Sequence, residues 1–403
     1  MDKVYKLYSS LSELEQYKTR ANVDLSALGH NYRLLQQQFL SIGSKARMIS
    51  VVKADAYGHG APQCVRTLLA EGCDFFAVSC IDEAVAVRNV CDRERKKADI
   101  LILGYTDPSL AAQLARYDIL QTLLSPDYAL LLNHAAALAD VTVRVHVALD
   151  TGMHRIGFPV YREEDVPLTA EEISHAYRLS NLRTEGIFTH FARADEAPGT
   201  GGDAFTEKQF HRFLAVCNAL EQRGIPRLFR HACNSAAAVK FPDFHLDGVR
   251  LGILLFGVRP SPVFSLPLRP VMRLRTVISH IHTLPPGESV GYGGCFEATE
   301  ERRIATLPIG YADGLLRAFS GGTVTVHTCE GNFSTHIVGR ICMDQCMVDV
   351  THVPAHAGDT VTLFGNDPAE LSQYAERAST IDYECLCLIS SRVPRQYSGG
   401  EES

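Results

Sequence analysis

Between about residue 45 and residue 255, short β-branched or aromatic-rich runs alternate with amphipathic stretches. The apolar runs predict strands at 48–53, 74–79, 99–104, 118–123, 141–149, 184–190, 228–232 and 248–251. Helical spacing of apolar positions fills intervals between them, for instance at 61–70, 109–115, 127–138, 170–179 and 202–221. Eight strand signals separated by helices read as a parallel βα repeat. Over this length the count fits a closed (β/α)8 barrel better than an open doubly wound sheet. Periodicity does not report closure, so the open sheet stays as the alternative.

The pattern changes after Pro260. Residues 259–270 contain four prolines and read as a linker. Beyond them, 272–282, 303–309, 323–327, 332–338, 343–350 and 360–364 read as strands, several in period-two alternation, joined by turn signals at 285–287, 321–322 and 330–331. The expected division is therefore an N-terminal extension at 1–18, a barrel at 19–262, a β-strand-rich domain at 263–398 and a disordered tail at 399–403.

Composition narrows the class without changing this outline. The 403 residues are 46% hydrophobic and 21% charged, close to a globular average. The net charge of −7 argues against nucleic acid or an anionic membrane as partner. No apolar run approaches the roughly 18 residues of a membrane span, and the first twenty residues lack the apolar region of a secretory signal. Twelve cysteines are scattered with no C-x-x-C pair, which points to a reduced, cytoplasmic setting and to no metal site.

In an eightfold barrel, functional groups sit where strands end and loops begin. The first strand runs into Val52-Lys53-Ala54-Asp55-Ala56-Tyr57-Gly58-His59-Gly60. A lysine closing a buried run has a lowered pKa and can act as a base or as an amine that condenses with an aldehyde, whereas a solvated terminal lysine is the plainer reading. Strand six ends at Thr189-His190-Phe191, where a satisfied core histidine is the plainer reading. Strand seven leads to Asn234-Ser235, a helix start able to cradle an anion or simply to cap. Strand eight carries Arg250-Leu251-Gly252-Ile253, a charged group beside a glycine that lets backbone approach a ligand. Each plain reading is comfortable alone. Together, a lysine amine, an anion cradle, a flat ring and a buried arginine fit pyridoxal 5'-phosphate, with a sugar-phosphate isomerase barrel as the competing assignment.

The chain resembles the bacterial alanine racemases over residues 20–398. The resemblance rests on 46–60 around Lys53, 150–157, 189–192, 231–236, 248–256, 289–293, 307–314, 339–344 and 391–395. It implies a barrel followed by a β domain, bound pyridoxal phosphate, and a homodimer with shared active sites. Lys53 would hold the cofactor and serve as one base. Tyr292 from the partner's β domain would be the other, since racemisation needs one group to remove the α proton and another to return it from the opposite side. A phenol titrates near 10 in water, so such a base needs donors or positive charge nearby, which His190 and Arg250 would supply. Arg250 at the pyridine nitrogen would leave that nitrogen unprotonated and weaken the ring as an electron sink. Tyr57, Ser235 and the N–H groups of Gly252 and Ile253 would hold the phosphate. Arg155 and Met343 would orient the substrate carboxylate, and Tyr311 would line the entrance. Asp344 would support that region.

Two positions depart from the family pattern. Many members carry a lysine, often carbamylated, where this chain has Ala148, seven positions before Arg155. An inorganic anion or another side chain must then position that arginine. A tyrosine usually precedes the Arg392-Val393-Pro394-Arg395 stretch, and here it is Ser391, which opens the space around the substrate's side chain. The expected function is interconversion of L- and D-alanine for peptidoglycan, with a serine or dual alanine/serine racemase as the alternative. A non-catalytic pyridoxal phosphate carrier fits poorly with the retained Tyr292 and C-terminal half.

Overall fold

The structure is a computed structural model and describes residues 19–260 and 265–399. The expected extension at 1–18, and all of the tail except its first residue, lie outside the described residues. The described residues form two compact units, one within residues 28–268 and one combining residues 19–27 with residues 269–399.

The first strand, β1 (Arg20–Asp24), belongs to the second of these units. The barrel unit contains β2 (Arg47–Val51), β3 (Phe75–Val78), β4 (Asp99–Ile102), β5 (Leu120–Leu123), β6 (Val143–Asp150), a two-residue β7 (Phe158–Pro159), β8 (Leu182–Thr189), β9 (Phe229–His231) and β10 (Gly248–Leu251). All pair in parallel, and pairing of β10 with β2 and of β5 with β6 closes the circle, so the barrel replaces the open-sheet alternative. Strands such as Phe75–Val78 are buried along their whole length, as expected where helices cover a parallel sheet.

At the N-terminal mouth of the barrel, Arg144 contacts Asp99 (2.7 Å), Glu185 (2.8 Å) and Asp118 (3.0 Å), while Arg47 contacts Asp99 (2.7 Å) and Asp74 (2.8 Å). Burial alone would raise the Asp99 pKa, but hydrogen bonds from Arg144 and Arg47 outweigh it and hold the carboxyl below its ordinary range. The opposite mouth, where strands end, carries the candidate chemistry.

The second unit is a sheet in which β1 lies between β11 (Met272–Val277), antiparallel, and the C-terminal strand Arg395–Ser398, parallel. Residues 19–27 therefore sit with the β-rich unit and not with the barrel, a difference from the expected boundary. The run expected as one strand at 272–282 is two, β11 and β12 (His280–Leu284), with separate partners. Residues 343–345 are loop, the strand there being limited to Cys346–Asp349. Leu284, Val290, Ala298, Ile304 and Val338 form a buried cluster beneath the loop that carries Tyr292. Two helices, Pro368–Arg377 and Asp382–Cys387, complete the unit. Among the described residues, no helix is long and apolar enough to cross a membrane.

Candidate active site

Lys53 does not close its strand; β2 stops at Val51 and Lys53 opens a turn. Ala54, Asp55, Ala56 and Tyr57 all have φ between 51° and 55°. Left-handed backbone costs L-residues roughly 1–2 kcal/mol each, so this turn must be held by its surroundings. Ala54 N–H donates to Glu83 Oε1 (2.6 Å), while Glu83 Oε2 accepts from Ser79 N–H (2.8 Å) at the end of β3. Asp55 Oδ1 accepts from Ala61 N–H (2.7 Å), and Gly58 N–H donates to Ala54 carbonyl (2.9 Å). Glu83 thus ties the residue after Lys53 to a neighbouring strand, a role that a glutamate inside a helical run does not announce.

The turn delivers Tyr57 to Gly252. A Cβ at Gly252 would stand 2.3 Å from the Tyr57 hydroxyl, so glycine is required there for space. Gly252 N–H donates to Ser235 Oγ (3.0 Å), which places both hydroxyls at the same backbone segment, immediately before Ile253. Ser235 is not the cap of its helix. Asn234 takes that role, its side chain accepting from Ala237 N–H (3.0 Å).

Lys53, Arg155, His190 and Arg250 line one cavity of about 270 Å³, together with Ala148 and Phe188. The turn carrying Arg155 is folded by Asp150, whose Oδ1 accepts from Gly152 N–H (3.0 Å) and His154 N–H (2.9 Å). Gln209 donates to the His190 carbonyl (3.1 Å) and holds that strand end in place. Arg250 is 3% exposed. Its two terminal nitrogens donate to His231 Nδ1 (2.8 Å) and to the carbonyls of Thr189 (2.7 Å), Ala232 (2.9 Å) and His231 (3.1 Å). Burial lowers its pKa to about 10, still a cation at neutral pH. Burial, then the charges of Arg250, Arg155 and Lys53, push His190 well below its ordinary value, so the ring is neutral.

The second unit gathers the remaining candidates. Tyr292 is 69% exposed on a turn whose preceding Gly291 has φ 72°. A Cβ at Gly293 would meet the Arg340 guanidinium at 3.3 Å, which places this turn over the segment leading to Met343. Tyr311 N–H donates to the Cys342 carbonyl (3.0 Å) and Ala312 N–H to the Met343 carbonyl (3.0 Å). Arg392, next to exposed Ser391, pairs with Asp344 (2.9 Å) and Asp313 (3.4 Å), which ties these two segments together. Tyr311, Met343 and Ser391 thus share one neighbourhood within this unit.

A family profile described as "Alanine racemase, N-terminal domain" matches residues 23–260, and one described as "Alanine racemase, C-terminal domain" matches 271–397. An alanine racemase of Desulfovibrio desulfuricans is 42% identical over 380 residues, 94% of this chain and 97% of that protein. Among solved structures, alanine racemase of Clostridium difficile 630 superposes with a TM-score of 0.82 at 36% identity, covering 94% of this chain and 96% of the other. Alanine racemase from Bacillus anthracis with bound L-Ala-P gives 0.83 at 31% identity, covering 96% of both chains.

Proposed function

The chain belongs to the alanine racemase family, and from that premise we propose that its interconversion of L- and D-alanine runs between Lys53 of one subunit and Tyr292 of a second copy. The observation that carries the cofactor assignment is the cradle at Gly252. A hydroxyl from Tyr57 and one from Ser235 close on backbone too tight for a Cβ, beside a cavity walled by Lys53 and Arg250. That set fits pyridoxal 5'-phosphate, the cofactor of this family. When bound, the cofactor supplies the electron-withdrawing ring that makes the α proton of alanine removable.

The chain's own groups do the rest. Tyr57, Ser235, Gly252 and Ile253 hold the phosphate. Arg250, pinned by carbonyls and His231, offers a fixed cation to the ring. Arg155 orients the substrate carboxylate, with Met343 contributing its backbone N–H. Lys53 Nζ would hold the cofactor until the substrate amine takes its place; the freed amine would then accept or return the proton on one side of the α carbon, and the Tyr292 oxygen on the other. The high exposure of Tyr292 in the single chain suits a residue whose site is completed by a partner. The product, D-alanine, would feed peptidoglycan.

Mixing two inactive variants, Lys53→Ala and Tyr292→Phe, tests the shared site. In a C2 dimer the random mixture should regain about a quarter of wild-type racemisation, because each hybrid rebuilds one intact site. No recovery after subunit exchange would remove the intersubunit arrangement. Borohydride trapping of cofactor on the Lys53 peptide should succeed in Tyr292→Phe and fail in Lys53→Ala.

A further inference from the structure

Inside the barrel, behind Arg250 as seen from the cavity, two histidines continue the hydrogen-bond line. Arg250 Nη1 lies 2.8 Å from His231 Nδ1, and His231 Nε2 lies 3.0 Å from His146 Nδ1. A guanidinium only donates. His231 Nδ1 must therefore be the bare acceptor, its Nε2 must carry the hydrogen, and His146 Nδ1 must accept it. The three side chains have one self-consistent protonation pattern.

The chain also departs from regular pairing to admit His146. The β6–β8 register shifts between Val145 and His146, from Val145↔Thr184 to His146↔Gly186, so that Glu185 is an extra residue. Opposite stands Gly186, where a Cβ would strike the His146 ring at 2.4–2.6 Å. The ring packs among Phe75 and Phe229, both with centroids 6.1 Å away, and His231 stacks on Phe188 at 4.8 Å.

We propose that His146 is a positioning residue for Arg250: by accepting the Nε2 hydrogen of His231 it fixes the tautomer whose bare Nδ1 receives the guanidinium, and so holds Arg250 at the cavity wall. Burial keeps both histidines neutral, pushing His146 down to about 4, which agrees with the single-hydrogen pattern. Without His146 as acceptor, the His231 Nε2 hydrogen would be buried unpaired, a cost that favours the other tautomer. The other tautomer would then turn an N–H against Arg250. The step from Arg250 to the ring of the cofactor rests on the function proposed above; the tautomer itself does not.

The test uses His146→Leu, which removes the acceptor, and His146→Asn, whose Oδ1 can stand where Nδ1 stood. Nitrogen NMR of histidine-labelled, cofactor-free protein should show His231 with a bare Nδ1 in wild type and in His146→Asn, and a changed or mixed tautomer in His146→Leu. In the loaded enzyme, His146→Leu should lower kcat about tenfold with KM little changed. It should also convert more alanine to pyruvate per racemisation event, the amino group passing to the cofactor as pyridoxamine phosphate, as expected when the cation at the ring is displaced. His146→Asn should recover both to within about threefold. A protonated His231 Nδ1 in wild type overturns the proposal, whatever the enzyme's substrate proves to be. So does a His146→Leu protein with unchanged tautomer and unchanged pyruvate yield. If His146→Leu does not fold, His146→Gln, whose amide sits one bond too far, takes its place against His146→Asn.

Discussion

At the scale of single residues, the site is governed by where a side chain is forbidden as much as by where one is present. Gly252 has a negative φ of −115°, outside the left-handed region, and a Cβ there would meet the Tyr57 hydroxyl. Tyr57 cannot easily withdraw, because its ring leans on Phe256 with centroids 5.2 Å apart and its backbone is locked in the turn after Lys53. Gly252→Ala should therefore weaken pyridoxal phosphate binding about tenfold, near 1.4 kcal/mol, and also lower the melting temperature of the cofactor-free protein, since the new Cβ must displace a ring held on two sides. Absorbance titration of the cofactor-free protein measures this, and unchanged affinity would dismiss the cradle. Lys53, Arg250 and Ser235 were legible as strand-end residues because the end of a barrel strand a residue occupies fixes which mouth of the barrel it lies at. The histidines 146 and 231 were not, since their partnership joins strands far apart in sequence and only the inward face of β6 hints at it.

At the scale of elements, the strands were legible and their ends were not. Apolar β-branched runs mark the eight barrel strands to within a few residues. The turn at 54–57 runs against local propensity and is held by Glu83 and Asp55, contacts that no window on the sequence contains. β1 was hidden for a similar reason. It offers only two buried apolar residues, Ala21 and Val23, and its register partners lie at 272–275 and 395–398. In the second unit the turn at 310–313 docks on 342–344 through backbone hydrogen bonds, with Arg392 bridging Asp313 and Asp344. A Cβ at Gly310 would fall 2.3 Å from the Met343 carbonyl oxygen and 2.4 Å from that of Cys342. Backbone cannot swing aside as a side chain does, so Gly310→Ala should cost about 1–3 kcal/mol. It should also raise KM for alanine as Tyr311 and Met343 separate. Urea unfolding and steady-state kinetics check the pair, and a normal KM would detach this turn from the substrate.

At the scale of the whole molecule, burying neutral histidines sets a pH limit. His146 is held down to about 4 from an ordinary 6.5, and His190 and His231 also lie well below that value, in each case chiefly through burial. Below pH 6.5 the unfolded chain takes up protons that the folded chain refuses, so stability is full above that point and falls as pH drops. Each histidine adds a slope of up to about 1.4 kcal/mol per pH unit. Urea midpoints should decline between about pH 6.5 and 4.5, less steeply in His146→Asn; a flat profile would mean the rings protonate in place. Handedness is the other property that spans the fold. A polymer of L-residues favours one screw sense, yet Ala54 and Ala56 hold φ of 51° and 55° beside Lys53. Those are angles that D-alanine adopts unforced, as the enantiomer of the ordinary helical pair. A semisynthetic chain bearing D-alanine at both positions would shed about 1–2 kcal/mol of conformational penalty at each. The enzyme would then carry its own product, as two residues of its backbone, where its chirality fits best.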